Sequence, residues 1–119
     1  MVWIHGGGLQ FGAGSHYGPE FLIDEEIILV TFNYRLGVLG FLSLDTPEYS
    51  GNQGLRDQVL ALQWVQDNLE PEKVTIFGES AGSESVSYHI LSPQSKGLFQ
   101  AAIGELDEVS DEISQLIYH

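Results

Sequence analysis

The 119-residue chain is of single-domain length, and its seventeen acidic residues face only Arg35, Arg56, Lys73 and Lys96, for a formal net charge of −13. A surface of that sign repels phosphates and excludes nucleic acid as a partner. A hydrophobic content of 43%, with two Trp, five Tyr and six Phe, suits a folded core, which a chain of this length builds by burying roughly two-thirds of its unfolded surface.

Met1–Ile4 is apolar and β-prone and runs directly into Gly6-Gly7-Gly8, which must be loop. Residues 9–20 are rich in glycine and polar residues. Ile27 to Phe32 is a continuous β-branched run without alternation, the pattern of a parallel strand buried on both faces. Gly37, Gly40 and the stretch from Thr46-Pro47 to Gly54 read as loop. The spacing of Leu55, Val59, Leu62, Val65 and Leu69 predicts a helix over Gln53–Leu69, ended by Glu70-Pro71-Glu72. Val74–Phe77 predicts a short buried strand turning at Gly78. Ala81–Leu91 predicts a second helix, stopped before Pro93, and Phe99–Ile103 a further strand. From residue 104 to 119 the tail is acidic, with Val109, Ile113, Leu116 and Ile117 at helical spacing. Strands alternating with helices imply an α/β fold with a mostly parallel sheet. The acid clusters at residues 20–26 and 105–112 read as solvated faces.

The sequence contains no cysteine, which leaves no disulfide or thiolate metal site within it. No apolar run approaches the roughly 18 residues that span a bilayer. Met1–His5 is too short and too poor in basic residues for a signal peptide, and no Asn-x-Ser/Thr site occurs. The abrupt start on a strand raises the expectation that an amino-terminal part is missing.

Gly78-Glu79-Ser80-Ala81-Gly82 is a GxSxG sequence with a predicted strand before it and a predicted helix after it. That context is what the chemistry requires: a serine on a sharp strand-to-helix turn, with glycines on either side so that backbone can approach closely. The helix N-terminus then points free N–H groups at a developing anion. His5-Gly6-Gly7-Gly8 can supply the remaining donors, because consecutive glycines let a loop turn several N–H groups to one spot. Ser80 is the candidate nucleophile, with Gly7, Gly8 and Ala81 as the oxyanion hole. The phosphate-loop alternative lacks support: neither Gly6-x-Gly8 nor Gly12-Ala13-Gly14 completes GxGxxG, and no Gly-Lys-Ser/Thr follows.

Four segments in order, Val2-Trp3-Ile4-His5-Gly6-Gly7-Gly8, Asn33-Tyr34-Arg35-Leu36-Gly37, Gly51-Asn52-Gln53-Gly54-Leu55-Arg56-Asp57-Gln58 and Phe77-Gly78-Glu79-Ser80-Ala81-Gly82, resemble the type-B carboxylesterase/cholinesterase family. Leu91-Ser92-Pro93 and Lys96-Gly97-Leu98-Phe99 extend the likeness over residues 1–103. The resemblance implies a truncated α/β-hydrolase fold, an amino-terminal-half fragment, and hydrolysis of a small carboxylic ester through an acyl-serine. It implies no cofactor or metal, a secreted or endoplasmic-reticulum setting, Arg35 and Asp57 as a structural ion pair, and Glu79 lining the substrate gorge.

A serine hydroxyl needs a histidine to take its proton and a carboxylate to orient that histidine. In such a fold both follow the nucleophile on later loops, and here 39 residues follow Ser80. His89 lies on the nucleophile's own helix and should point away; His119 has no strand to position it. His5 and His16 precede Ser80 and show no metal-ligand spacing. The family pattern is also broken at Glu70–Lys73, where a longer turn segment is expected, at Glu84, where a small residue is usual, and in the acidic tail. The alternatives are therefore a truncated, non-catalytic or binding product lacking the acid and histidine, or a structural α/β module. A piece of a larger sheet should also expose an unpaired edge and one apolar face.

Overall fold

The computed structural model describes residues 1–69 and 71–105; of the predicted helical tail, residues 106–119 lie outside them. Four strands, β1 (Val2–Ile4), β2 (Val30–Thr31), β3 (Thr75–Glu79) and β4 (Ala101–Glu105), form one parallel sheet in the order β2-β1-β3-β4. Among the described residues three α-helices accompany it: α1 (Gly37–Phe41), α2 (Gln53–Asn68) and α3 (Ala81–Leu91). This is an α/β architecture, as expected for strands joined by crossover helices. No helix among the described residues is long and apolar enough to cross a membrane.

Side-chain alternation divides the sheet into two unlike faces. Val2, Ile4 and Ile76 turn to one side and are sealed there by Leu62 and Val65 of α2 and Val86 of α3. Trp3 and Phe77 turn to the other side, where their rings meet edge to face with centroids 4.8 Å apart and Tyr17 leans on Trp3. Next in register, Ile103 is 49% exposed. One face of the sheet is thus a packed core, and the other an aromatic surface only partly covered.

Several elements depart from the sequence expectation. The run Ile27–Phe32 is not a strand buried on both faces: only Val30 and Thr31 join the ladder, both half-buried, and Ile28 is exposed. Its position explains this. β2 lies at the sheet edge and registers with β1 only through Val2↔Val30 and Trp3↔Thr31. Residues 37–41 are a short helix rather than loop. Gly40 is required there because a β-carbon would overlap the Arg35 carbonyl, so the glycine that suggested loop instead permits close packing. β4 begins at Ala101 and runs through Gly104 and Glu105, two residues assigned from sequence to the tail.

Within α2, the buried face also departs from the predicted stripe. Leu55 and Val59 are half-buried, whereas Gln58 shares the buried face with Gly54, Leu62 and Val65. Gly54 has no room for a side chain, since a β-carbon would come 2.5 Å from the Arg35 carbonyl oxygen and 2.6 Å from the Phe41 ring. The helix therefore starts in contact with α1 and ends over the core.

Candidate active site

The sheet delivers Ser80 at the carboxyl end of β3, between that strand and the first residue of α3. Ser80 has φ 55° and ψ −126°, a backbone conformation costing a non-glycine residue on the order of 1–3 kcal/mol. The surroundings impose it. Gly78 packs on the Gly82 backbone, where a β-carbon would lie 2.5 Å from the Gly82 carbonyl carbon, and Gly82 packs directly on the Ile4 carbonyl. The Ser80 N–H donates to Glu105 O at 3.0 Å, tying the turn to β4, and the Glu84 N–H donates to Ser80 O at 3.1 Å. Ser80 itself is exposed.

Beside it, the chain leaving β1 turns through Gly7 (φ 108°), Gly8 (φ 61°) and Leu9 (φ 59°). Gly7 O accepts from the N–H groups of Gln10 and Phe11 at 3.0 and 3.2 Å, and Leu9 O accepts from the Gly37 N–H at 2.7 Å. Among the described residues nothing accepts from the Gly7 or Gly8 N–H. A β-carbon on Gly6 would lie 3.3 Å from Ser80 Cβ and 3.0 Å from Glu79 Oε2. Loop, serine and the exposed Glu79 side chain therefore converge, and Gly6, which carried no assigned role in the sequence, makes that approach possible.

His5 is locked beneath this loop. Its Nδ1 lies 2.7 Å from Gly6 O, a group that can only accept, so Nδ1 carries the proton. Its ring stacks on Tyr34 with centroids 4.5 Å apart, and Tyr34 Oη donates to His5 O at 2.7 Å. Burial, with Tyr17 nearby, pushes the Tyr34 hydroxyl up to about 12, which keeps it a donor. His5 is thus a loop histidine with a supporting part.

Arg35 and Asp57 form a bidentate pair: Nε to Oδ2 at 2.8 Å and Nη2 to Oδ1 at 2.9 Å, with the Arg35 backbone N–H adding a bond to Oδ2 at 3.0 Å. Hydrogen bonding to the guanidinium holds the Asp57 carboxyl below its ordinary range. The pair clamps the N-terminal half of α2 to the segment entering α1. Two residues beyond Arg35, the Gly37 N–H grips Leu9, so the clamp reaches the glycine loop.

His89 lies away from any role as base. It is buried, with Nδ1 2.7 Å from Ser95 Oγ and Nε2 2.8 Å from Gln58 Oε1, and burial lowers it to about 4. Among the described residues no histidine is hydrogen-bonded to Ser80 Oγ, and no cluster of three His, Asp or Glu could hold a metal. Glu84 is half-buried in the first turn of α3, where the helix dipole favours a carboxylate. The polar set Gln58, Ser85 and Ser95 was missed from sequence; its one signal was a glutamine at helical spacing from Gly54 and Leu62. Next to Gly8 opens a shallow depression of about 800 Å³, lined by Leu9, Gln10, Val38, Phe41 and Leu42.

Comparison with known proteins gives this arrangement a family. Residues 1–106 match the carboxylesterase family model. The chain is 54% identical over 112 residues to a juvenile hormone esterase of Tribolium castaneum, covering 88% of this chain and 19% of that protein. It is 55% identical over 111 residues to a cocaine esterase of Oryctolagus cuniculus, covering 88% of this chain and 21% of that protein. The crystal structure of juvenile hormone esterase from Manduca sexta, with OTFP covalently attached, superposes with a TM-score of 0.83 at 46% identity, covering 87% of this chain and 22% of that one. The chain thus spans about a fifth of the length of these relatives. It has the α/β-hydrolase architecture and belongs to the carboxylesterase family.

Proposed function

We propose that this chain carries the nucleophile and oxyanion-binding half of a carboxylic ester hydrolase. The observation that carries the reading is the seating of Gly82 on the Ile4 carbonyl, which sets the end of β1, the glycine loop and the N-terminus of α3 around one exposed serine. In the reaction, Ser80 Oγ attacks the ester carbonyl carbon and its proton passes to a base. The carbonyl oxygen becomes anionic and receives the Gly7, Gly8 and Ala81 N–H groups, and expulsion of the alcohol leaves an acyl-serine that water hydrolyses. This acid–base chemistry calls for no metal or cofactor. The unclaimed Gly7 and Gly8 N–H groups suit the oxyanion role, since donors already spent on carbonyls could not serve. The apolar depression beside Gly8 suits an apolar acyl or alcohol group of a small-molecule ester, and Glu79, which meets Gly6 next to Ser80, suits a place on the substrate's path to the serine.

A specific observation favours a second reading. No described residue stands at Ser80 Oγ as a base, and loss of triad partners costs on the order of 10⁴ in rate. By this reading the polypeptide binds an ester or reacts once without turnover. A fluorophosphonate probe separates the possibilities: labelling at Ser80 that Ser80→Ala abolishes supports the nucleophile. Ester turnover by the same preparation then distinguishes an enzyme from a single-hit binder. Absence of any labelling at Ser80 would overturn the nucleophile assignment.

A further inference from the structure

The helix that follows Ser80 is held from behind by a buried chain of polar side chains that the proposed chemistry does not itself use. Gln58 and Ser85 are wholly buried, and His89 is 3% exposed. Gln58 Nε2 donates to Ser85 Oγ at 3.2 Å, and Ser85 Oγ donates onward to Ala81 O at 3.0 Å. At the other end Gln58 Oε1 meets His89 Nε2 at 2.8 Å, and His89 Nδ1 meets Ser95 Oγ at 2.7 Å. The directions are fixed by what each atom can do. An amide oxygen only accepts, so Nε2 carries the imidazole proton, and the neutral ring must accept at Nδ1 from the Ser95 hydroxyl. Ser95, His89, Gln58 and Ser85 therefore donate in one direction, each bond polarising the next, and the series ends on the carbonyl of the residue after Ser80.

We propose that Gln58 is a positioning residue. Acting through Ser85, it anchors the first turn of α3 so that the Ala81 N–H stays aimed at the oxyanion, with His89 and Ser95 fixing the orientation of the amide. The proposal rests on the reading of Ala81 as an oxyanion donor. Its physical basis is a contrast within α3. Ser87 Oγ donates to Ser83 O at 3.2 Å, a local bond of the same kind, and such bonds by themselves slightly bend and loosen a helix. Ser85 differs because Gln58 reaches across from α2 and makes the local bond part of a link between two helices. The need for an anchor lies next door: Ser80 holds an unfavourable backbone conformation, and an untethered first turn could relax it and swing the Ala81 peptide away.

The test uses the full 119-residue chain as wild type, Gln58→Leu, Ser85→Ala and, as control, Ser87→Ala. Two quantities are measured: the rate of fluorophosphonate labelling at Ser80, and hydrogen exchange of the Glu84 amide, which closes the first turn of α3 on Ser80 O, compared with β3. Gln58→Leu and Ser85→Ala are expected to label about tenfold more slowly, a fraction of the loss seen when an oxyanion donor is removed outright. Exchange of the Glu84 amide should quicken while β3 is unchanged, and Ser87→Ala should match wild type. Wild-type labelling rates in both test variants overturn the proposal. Should Gln58→Leu fail to fold, Ser85→Ala decides, since it removes one hydroxyl and leaves the Gln58–His89 pair intact. If wild type does not label, the nucleophile reading falls separately, and exchange decides the anchor: unchanged protection of the Glu84 amide, which donates to Ser80 O, in Ser85→Ala overturns it.

Discussion

Gly82 of α3 rests directly on the carbonyl of Ile4 at the end of β1, with no room for even a methyl group between them. That contact sets how near α3, the helix that follows Ser80, comes to the strand that feeds the glycine loop. Gly82→Ala must push helix and strand apart, and neither partner is a flexible side chain that could give way. Overpacking of this kind costs about 1–3 kcal/mol, offset only slightly by the better helix propensity of alanine. We expect a lower urea midpoint and a larger relative loss of Ser80 labelling than of stability. Unchanged labelling in a folded Gly82→Ala protein would contradict the role given to this contact.

Ser80 itself is expected to be a stability liability. Its φ of 55° suits glycine, and a side chain held in such a conformation costs on the order of 1–3 kcal/mol. Ser80→Ala and Ser80→Gly both remove the hydroxyl, but only the glycine relieves the backbone. Ser80→Gly should therefore be more stable than Ser80→Ala by about 1 kcal/mol, after allowance for the greater unfolded-state entropy of glycine. Thermal denaturation of the two variants side by side checks this, and both should be blank to the probe.

How much of this was legible in the sequence depended on what each signal encodes. The β-branched run at Val74–Phe77 and the spacing of Leu62 and Val65 report burial directly, so β3 and α2 could be read. The GxSxG glycines mark close approach, although which backbone approaches, Ile4 on Gly82, needs the fold. Edge position was invisible: Ile27–Phe32 has the composition of a central strand, and only its neighbours make β2 an edge. Buried polar groups misled as well. Gln58 reads as a surface residue because nothing local announces its partners, Ser85 and His89, which lie 27 and 31 residues away. Gly40 read as loop because sequence does not separate a glycine needed for conformation from one needed for space.

The Arg35–Asp57 pair should resist conservative replacement. Guanidinium binds carboxylate through two parallel bonds, and an ammonium cannot reproduce that fork. In Arg35→Lys the Asp57 carboxyl should rise toward its ordinary value of 3.8, as followed by carboxyl carbon shifts in an NMR titration. In the wild type this carboxyl is depressed on folding, so its contribution is complete above the unfolded value and is lost as pH falls through the folded one. Asp57→Asn should accordingly flatten stability below about pH 4. Because Gly37 grips Leu9 two residues from Arg35, Arg35→Lys should also slow Ser80 labelling. An Asp57 titration unmoved by Arg35→Lys would show that the pair is not what sets it.

His89 should govern stability at mildly acidic pH. Burial lowers it from 6.5 to about 4, and protonation would also turn Nδ1 from acceptor to donor against Ser95. Above 6.5 the ring is neutral in both folded and unfolded chains, and its full contribution is present. Between 6.5 and about 4 the unfolded chain takes up a proton that the folded chain refuses, so stability falls as pH falls. Below about 4 both states are protonated and this slope ends. A displacement of this size amounts to roughly 3 kcal/mol across the window. Urea unfolding at a series of pH values from neutrality to pH 4.5 should reveal a one-proton slope in wild type, and His89→Gln should remove it whatever its absolute stability. The ring proton shifts of His89 should stay constant through the range where an exposed histidine titrates; a midpoint near 6.5 would mean the ring is not buried in the Gln58–Ser95 network.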